Sequence, residues 1–92
     1  MIERAVVIRN RLGLHARAAA KFVHLAARYT ARVRVTRDGR TVDGKSIMGI
    51  LLLAAGHGTA IAIDADGPDE AEAVEALAAL VESGFGENAW NV

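Results

Sequence analysis

Hydrophobic and polar positions change their spacing several times along the chain, and each change predicts a different element of secondary structure. Residues 2–8 (IERAVVI) are rich in β-branched types and predict a first strand. Over residues 16–28, small and apolar residues recur every three or four positions, which indicates an amphipathic helix. Residues 31–37 then alternate between apolar and polar side chains and predict a second strand. The predicted buried face of the helix is Ala16, Ala19, Ala20, Val23, Ala26 and Ala27.

The middle of the chain predicts a hairpin followed by a short helix. Asp38 and Gly39 form a dipeptide that favours a type I′ turn, since both central residues of that turn need positive φ. Residues 40–42 then form the returning strand. Ser46 stands where a hydroxyl can cap a helix, and residues 47–53 (IMGILLL) predict a short apolar one.

The last third predicts a strand, a helix and a tail. Residues 59–65 alternate again and form the fourth strand. Gly67 and Pro68 open the final helix, because proline is tolerated in a first turn, and Gly84 ends it. Its predicted buried stripe is Ala71, Val74, Leu77, Ala78 and Val81. Residues 85–92 show no period, and we expect them to form a flexible tail.

The predicted element order is βαββαβα, a split βαβ arrangement of the ferredoxin-like type. Strands with one apolar and one polar face need helices on a single side. We therefore expect an α+β fold with a four-stranded antiparallel sheet, three helices on one face and the other face solvated. A length of 92 residues suits one domain that spans residues 1–92.

Composition narrows the classes of protein that this chain can belong to. The chain has no cysteine, so nothing argues for disulfides, a thiolate metal site or an oxidising compartment. Its N-terminus lacks the apolar core of a signal peptide, and its longest apolar stretch, residues 47–56, is too short to span a bilayer. One small domain also has little room for a cofactor pocket or a multi-substrate active site. We expect a cytoplasmic protein with no cofactor, no metal site and no membrane insertion.

Charge is distributed unevenly although the formal net charge is zero. Residues 1–45 hold all eleven basic residues and three acidic ones, a net charge of +8, and the remaining residues hold eight acids. This asymmetry predicts an electropositive surface and an anionic partner or ligand. Nucleic acid is a poor candidate, because no aromatic residue lies among the basic ones as a base-stacking platform requires.

The strongest chemical signal is the segment GLHAR, residues 13–17, where a loop becomes a helix. The first N–H groups of a helix have no intrahelical partner, so we expect the amides of Ala16, Arg17 and Ala18 to bind a phosphoryl group. His15 is a competent nucleophile near neutral pH, and Arg17 can donate to phosphoryl oxygens. No carboxylate lies within ten residues, so we expect no second catalytic group. The residues alone leave a second interpretation open, in which His15 caps the helix and Arg17 is solvated.

Two segments, GLHARAAAKFV and GKSIMGILLLAAGHGT, resemble the two signatures of the HPr family, the histidine-containing phosphocarriers of the bacterial sugar phosphotransferase system. The resemblance extends over the length, the element order and a terminal ESGFGE stretch. It implies an open-faced β-sandwich and a stoichiometric carrier, not a turnover enzyme. Such a carrier takes a phosphoryl group from phosphorylated enzyme I, itself charged by phosphoenolpyruvate, and passes it to enzyme IIA domains.

The resemblance also implies roles for individual residues. The phosphorylated histidine of the family falls on His15, modified on Nδ1, and its phosphate-contacting arginine falls on Arg17. The regulatory serine, a target of HPr kinase in many bacteria, falls on Ser46, which equally suits a helix cap. One departure concerns Ala18, where the family usually has proline; alanine adds an N–H donor and loosens the first turn, so it affects the rate of transfer.

Family members bind partners through the exposed edge of the first helix and through the short second helix. The predicted partner-binding residues are Ala20, Lys21, His24, Ile47, Met48 and Leu51. Ile50 and Leu53 are expected in the core, and His57 in a loop. Two alternatives stay open: a regulatory phosphocarrier of the nitrogen-related branch, and a protein-binding module that is never phosphorylated.

Overall fold

A four-stranded antiparallel sheet forms the framework of the computed structural model, which describes residues 1–87. Three α-helices pack on the sheet, and this confirms the predicted α+β open-faced sandwich. None of the helices in these residues is long and apolar enough to cross a membrane. The elements are β1 (Ile2–Val7), α1 (Ala16–Ala26), β2 (Arg32–Arg37), β3 (Arg40–Asp43), α2 (Ile47–Leu52), β4 (Ala60–Asp66) and α3 (Glu70–Glu82), followed by a 3-10 turn at Gly84–Gly86.

The strands are arranged in the order β1-β4-β2-β3, with every neighbouring pair antiparallel. Because β4 lies between β1 and β2, a strand from the acidic second half of the chain lies between two strands from the basic first half. The β2–β3 hairpin turns at Asp38 (φ 49°) and Gly39 (φ 80°), so the predicted type I′ geometry is confirmed.

The helices and the inner face of the sheet enclose a single core. Its largest fully buried apolar side chains include Phe22, Phe85, Ile8, Ile50, Ile63 and Leu77. The buried face of α1 is Ala18, Ala19, Phe22 and Ala26. The predicted face was wrong at Ala16 and Ala27, which are exposed. Burying the ring of Phe22 removes far more apolar surface from water than burying an alanine, and this sets the rotation of the helix.

Two predictions near the C-terminus need correction. Ala71 is exposed and Ala73 is buried in its place, whereas the rest of the predicted α3 stripe lies in the core. The predicted tail is packed at its start, because Phe85 is only 1% exposed and lies in the 3-10 turn. The expectation for the remainder of the tail falls on residues 88–92, outside the described residues.

Asp69, the N-cap residue of α3, attaches the start of that helix to the segment just before β2. Its carboxylate accepts hydrogen bonds from the backbone N–H of Thr30 at 2.9 Å and of Ala31 at 2.8 Å. These donors, the Thr30 N–H first, hold the pKa of the Asp69 carboxyl below its ordinary value. These two hydrogen bonds therefore hold the N-terminus of α3 against the start of β2.

Candidate functional site

His15 is the N-cap residue of α1, with extended backbone angles (φ −76°, ψ 178°). The loop before it is held at Leu14, which is buried and whose N–H donates to the carbonyl of Ala55 at 2.9 Å. The His15 N–H in turn donates to the carbonyl of Gly13 at 2.9 Å. The loop is thus attached to the segment after α2, and the imidazole is held at the start of the helix.

The first helical hydrogen bond runs from the Ala19 N–H to the His15 carbonyl at 2.8 Å. The preceding amides, those of residues 16–18, have no acceptor among residues 1–87. Ala16 and Arg17 are exposed residues, and their unpaired amides are the kind of donor that binds an anion at a helix start. That they bind a phosphoryl group stays a prediction.

Ala18 differs from its two neighbours because it is fully buried. Its amide is therefore less accessible than predicted, and its N–H has neither a protein acceptor nor an exposed surface. A buried N–H without a partner is unfavourable in free energy. The structure thus gives a physical reason why proline, which lacks an N–H, suits this position in the family.

We expect Ala18→Pro to stabilise the protein. Proline removes the unpaired donor and also restricts the unfolded chain, an effect of about 0.4–1 kcal/mol where the native φ is compatible. Thermal unfolding of the parent and the variant measures the change. Ala20→Pro, two residues further into the helix, is the matched control and should destabilise by about 3 kcal/mol. A variant Ala18→Pro that is also destabilised would contradict this account of the first turn.

Glu87 is the residue that sequence reasoning missed. Its Oε2 lies 2.8 Å from His15 Nε2, and its side chain is only 6% exposed. The sequence has no carboxylate within ten residues of His15, but the fold brings one to the ring from 72 positions away. The visible signal was the GFGE sequence, in which two glycines around a buried aromatic residue permit a sharp turn back to the site.

Lys21 also has a contact that the sequence did not predict. Its Nζ donates to the carbonyl of Phe85 at 2.7 Å, which ties α1 to the turn that precedes Glu87. Lys21 was predicted as a partner-binding residue, and that role stays a prediction. The structure gives it a supporting role in the site as well.

The exposed side chains of Arg9, Arg11 and Arg17 lie on the loop and the first turn around His15, and they make no ion pair with residues 1–87. Two basic residues on the sheet are paired with acids of the second half of the chain. Arg34 Nε donates to Asp64 at 3.0 Å, and Arg4 donates to Glu75 at 2.6 Å. The arginines of the loop and first turn before and after His15 thus keep their charge unpaired within residues 1–87, unlike Arg4 and Arg34.

Ser46 caps α2, as predicted. Its Oγ accepts a hydrogen bond from the Gly49 N–H at 3.0 Å. Behind it, Ile50 and Leu53 are buried in the core, which confirms their expected places.

The outer side of α2 forms an apolar surface. Met48 is 68% exposed, and Ile47 is also exposed, as expected for two predicted partner-binding residues. Leu51 is half-buried, whereas Leu52 is more exposed and was not selected from the sequence. Leu12, in the loop before His15, is exposed as well. This surface is suited to contact with another protein.

The remaining candidates are surface residues. His24 lies in the last turn of α1 and His57 in the loop before β4, and both are exposed. Ala20 is half-buried on α1. Within residues 1–87, no group of three or more His, Asp or Glu residues is arranged to hold a metal ion.

Comparisons with known proteins cover nearly the whole chain. Residues 2–83 match the family model described as PTS HPr component phosphorylation site. Phosphocarrier protein HPr from Cupriavidus necator is 52% identical over 87 residues, 95% of this chain and 98% of that protein. The one from Neisseria meningitidis serogroup A is 48% identical over the same shares. A crystal structure of HPr from Thermoanaerobacter tengcongensis has a TM-score of 0.92 at 44% identity, covering 96% of this chain and 99% of that one.

Proposed function

Because the chain belongs to the HPr family of phosphocarrier proteins of the phosphotransferase system, we propose that His15 accepts a phosphoryl group from phosphorylated enzyme I and passes it to enzyme IIA domains. The observation that carries the proposal is the place of His15 at the start of α1, where the amides of Ala16 and Arg17 have no protein acceptor within residues 1–87 and Arg17 is exposed. The protein acts as a stoichiometric carrier, since it returns to its starting state only by giving the group away. Its cytoplasmic location stays a prediction.

The chemistry follows from the two ring nitrogens of His15. Nε2 faces Glu87, while Nδ1 makes no hydrogen bond with residues 1–87. The lone pair of Nδ1 attacks the donor's phosphorus, so that an N–P bond forms as the bond from phosphorus to the donor breaks, and the donor keeps that electron pair. The amides of Ala16 and Arg17 and the Arg17 guanidinium balance the charge of the phosphoryl oxygens. Transfer onward to a IIA domain is the same exchange with this chain as donor.

Docking is proposed to combine the apolar surface of α2 with the basic residues around His15. Ile47, Met48 and Leu51 supply apolar contact, and Lys21 and His24 lie on the adjoining helix. Arginines that lack an internal ion pair favour a partner surface that is acidic around its own phosphorylated residue. Ala20, half-buried on α1, would then lie at the edge of this contact.

The test is to incubate the protein with phosphoenolpyruvate and purified enzyme I, using the enzyme I of the sugar branch and of the nitrogen branch in parallel. We expect one equivalent of acid-labile phosphate, the behaviour of a phosphohistidine. Faster labelling by the nitrogen-branch enzyme would assign the chain to the regulatory branch. Absence of label with both enzymes would favour a binding module that never carries phosphate and would contradict the proposal.

Ser46 is proposed as a regulatory site for an HPr kinase. A phosphorylated or acidic residue here stays compatible with the cap and adds negative charge beside the apolar surface of α2. We therefore expect Ser46→Asp to slow transfer from enzyme I by about tenfold, which corresponds to about 1.4 kcal/mol of repulsion from an acidic partner. Stopped-flow measurement of transfer at limiting protein gives the rate.

The matched control for Ser46→Asp is Ser46→Asn, which caps equally well and carries no charge. We expect it to transfer at the parent rate. Equal rates in all three proteins would remove the regulatory proposal and leave Ser46 as a cap. Equal slowing in Asp and Asn variants would assign the effect to the hydroxyl and not to charge.

A further inference from the structure

Glu87 and His15 form a contact whose geometry leaves the reactive edge of the imidazole free. The carboxylate meets Nε2 at 2.8 Å. The two ring nitrogens flank Cε1, and their outward directions in the ring plane diverge. The Glu87 side chain is 6% exposed and that of His15 is 24% exposed. The carboxylate therefore contacts the Nε2 side of the ring and leaves free the position that a phosphoryl group on Nδ1 would take.

Several contacts fix the position of the Glu87 side chain. Gly84, Phe85 and Gly86 all have positive φ, between 60° and 72°, and reverse the chain so that Glu87 faces the start of α1. Burial of the Phe85 ring and the bond from Lys21 Nζ to its carbonyl anchor this turn. Asn10 Nδ2 then donates to Glu87 Oε1 at 3.2 Å.

We infer that Glu87 is a positioning residue for His15, which holds the ring in the tautomer whose Nδ1 lone pair is free. A carboxylate can only accept hydrogen bonds, so the ring atom that faces it must carry the proton. Nε2–H therefore points at Glu87, and in the neutral imidazole Nδ1 is left unprotonated. The inference rests on the proposed function for its reaction, but its structural part concerns the free protein.

The same contact assists the transfer itself. When Nδ1 of a neutral imidazole forms the N–P bond, its electron pair is shared with phosphorus and the ring gains positive charge, with the proton still on Nε2. The Glu87 carboxylate lies against that N–H and stabilises the charge, as an acid that orients a histidine does in other nucleophilic sites. The donor's leaving atom keeps the electron pair of the broken bond, so no proton has to leave Nε2.

Asn10 determines how the side-chain amide of a glutamine at position 87 would orient. Asn10 is 1% exposed, and its Nδ2 also donates to the Gly13 carbonyl at 2.8 Å, so the amide nitrogen is fixed as a donor. In Glu87→Gln the carbonyl oxygen would stay with Asn10, and the NH₂ group would face His15 Nε2. An NH₂ group donates, so it would favour the tautomer that has its proton on Nδ1.

We expect Glu87→Gln to slow phosphoryl transfer from enzyme I by about 10- to 100-fold, the range for losing a hydrogen bond to a charged group. Glu87→Ala removes the acceptor without adding a competing donor, and it should slow transfer less than Glu87→Gln does. A merely structural contact predicts the opposite order, because glutamine preserves shape and alanine does not. Glu82→Gln, an exposed acid at the end of α3, is the matched control and should transfer at the parent rate.

The ¹⁵N chemical shifts of the His15 ring, measured at a pH where the ring is neutral, report the tautomer without any phosphorylation. The parent should be in the Nε2–H form, and Glu87→Gln should gain the Nδ1–H form. An unchanged tautomer in Glu87→Gln, or a rate above that of Glu87→Ala, would overturn the inference. Should Glu87→Gln fail to fold, Glu87→Ala decides, since a tautomer ratio and rate equal to those of the parent would equally overturn it.

These outcomes separate the inference from the proposed function. A parent that is never phosphorylated, but whose tautomer responds to Glu87→Gln, would refute the carrier proposal and leave the positioning contact intact. A parent that is phosphorylated on His15 while both Glu87 variants match it would refute the positioning role alone.

Discussion

Replacing His15 with alanine should abolish phosphorylation of this protein by enzyme I and phosphoenolpyruvate. The imidazole supplies the lone pair that forms the N–P bond, and no neighbouring side chain can replace it. Glu87 contacts the His15 ring, and Arg17 is two positions away in the sequence. A carboxylate has no nitrogen, and a guanidinium stays protonated at neutral pH, so neither can form the N–P bond. The loss should therefore be complete, and the acid-labile phosphate of the parent should be absent from the variant.

The controls for this experiment are the other two histidines. His57→Ala and His24→Ala should each still take up one equivalent of label, because neither residue lies at the start of α1. Removal of His24, a proposed docking residue, affects the rate of labelling and not its extent. Circular dichroism should confirm that His15→Ala is folded, since its side chain makes a hydrogen bond to Glu87 but is not part of the apolar core. Label that persists on His15→Ala would show that another residue is the acceptor.

Replacing Gly13 with alanine should be the most destabilising single change in the loop that holds His15. Gly13 has φ +68°, and an added Cβ would lie 2.5 Å from the Ala55 carbonyl oxygen and 2.6 Å from Gly56 Cα. These are backbone atoms that cannot rotate away. Left-handed strain and overpacking together should cost about 2–4 kcal/mol, a large part of the total stability of a small domain, and should lower Tm by roughly 10 °C or more.

The matched control is Gly39→Ala. Gly39 has a similar φ, +80°, but an added Cβ there would meet nothing within 4 Å. It should therefore show only the conformational cost of about 1 kcal/mol. Gly13→Ala should also slow phosphoryl transfer where it stays folded, because the bond from Leu14 N–H to the Ala55 carbonyl positions His15. Equal changes in Tm for the two variants would contradict the predicted steric clash.

The periodic parts of the chain could be predicted because local patterns determined them. Alternation identified β2, and the Asp38-Gly39 pair determined the hairpin turn, since positive φ at two successive residues suits few other sequences. The Ser46 hydroxyl cap could be predicted for the same reason, because its bond to the Gly49 N–H is made within one turn of helix.

The buried face of α1 could not be predicted from spacing alone. Several alanines satisfied the helical period equally well, and the large side chain of Phe22 decided the rotation through contacts with the rest of the core. The predicted burial of Ala71 was wrong for a similar reason, because a small residue near the start of a helix contributes little to the orientation of that helix.

Only part of the candidate site could be predicted from the sequence. His15 and Arg17 belong to one continuous motif, and the helix start gives that motif its chemistry. Glu87 comes to the site from the turn after α3, and Asn10 comes from the loop before α1. Their contact therefore depends on tertiary packing. A carboxylate 72 residues away carries no local signal for a histidine.

The most direct test of the account is to locate the phosphoryl group on the protein itself. The ¹⁵N-labelled chain, phosphorylated with phosphoenolpyruvate and enzyme I, should show ³¹P–¹⁵N coupling to Nδ1 of His15, and the ring resonances of His24 and His57 should be unchanged. Phosphate on the ring of His24 or His57 would contradict the assignment of His15 as the acceptor. Phosphate on Nε2 of His15 would contradict the account as well, since Glu87 contacts that atom.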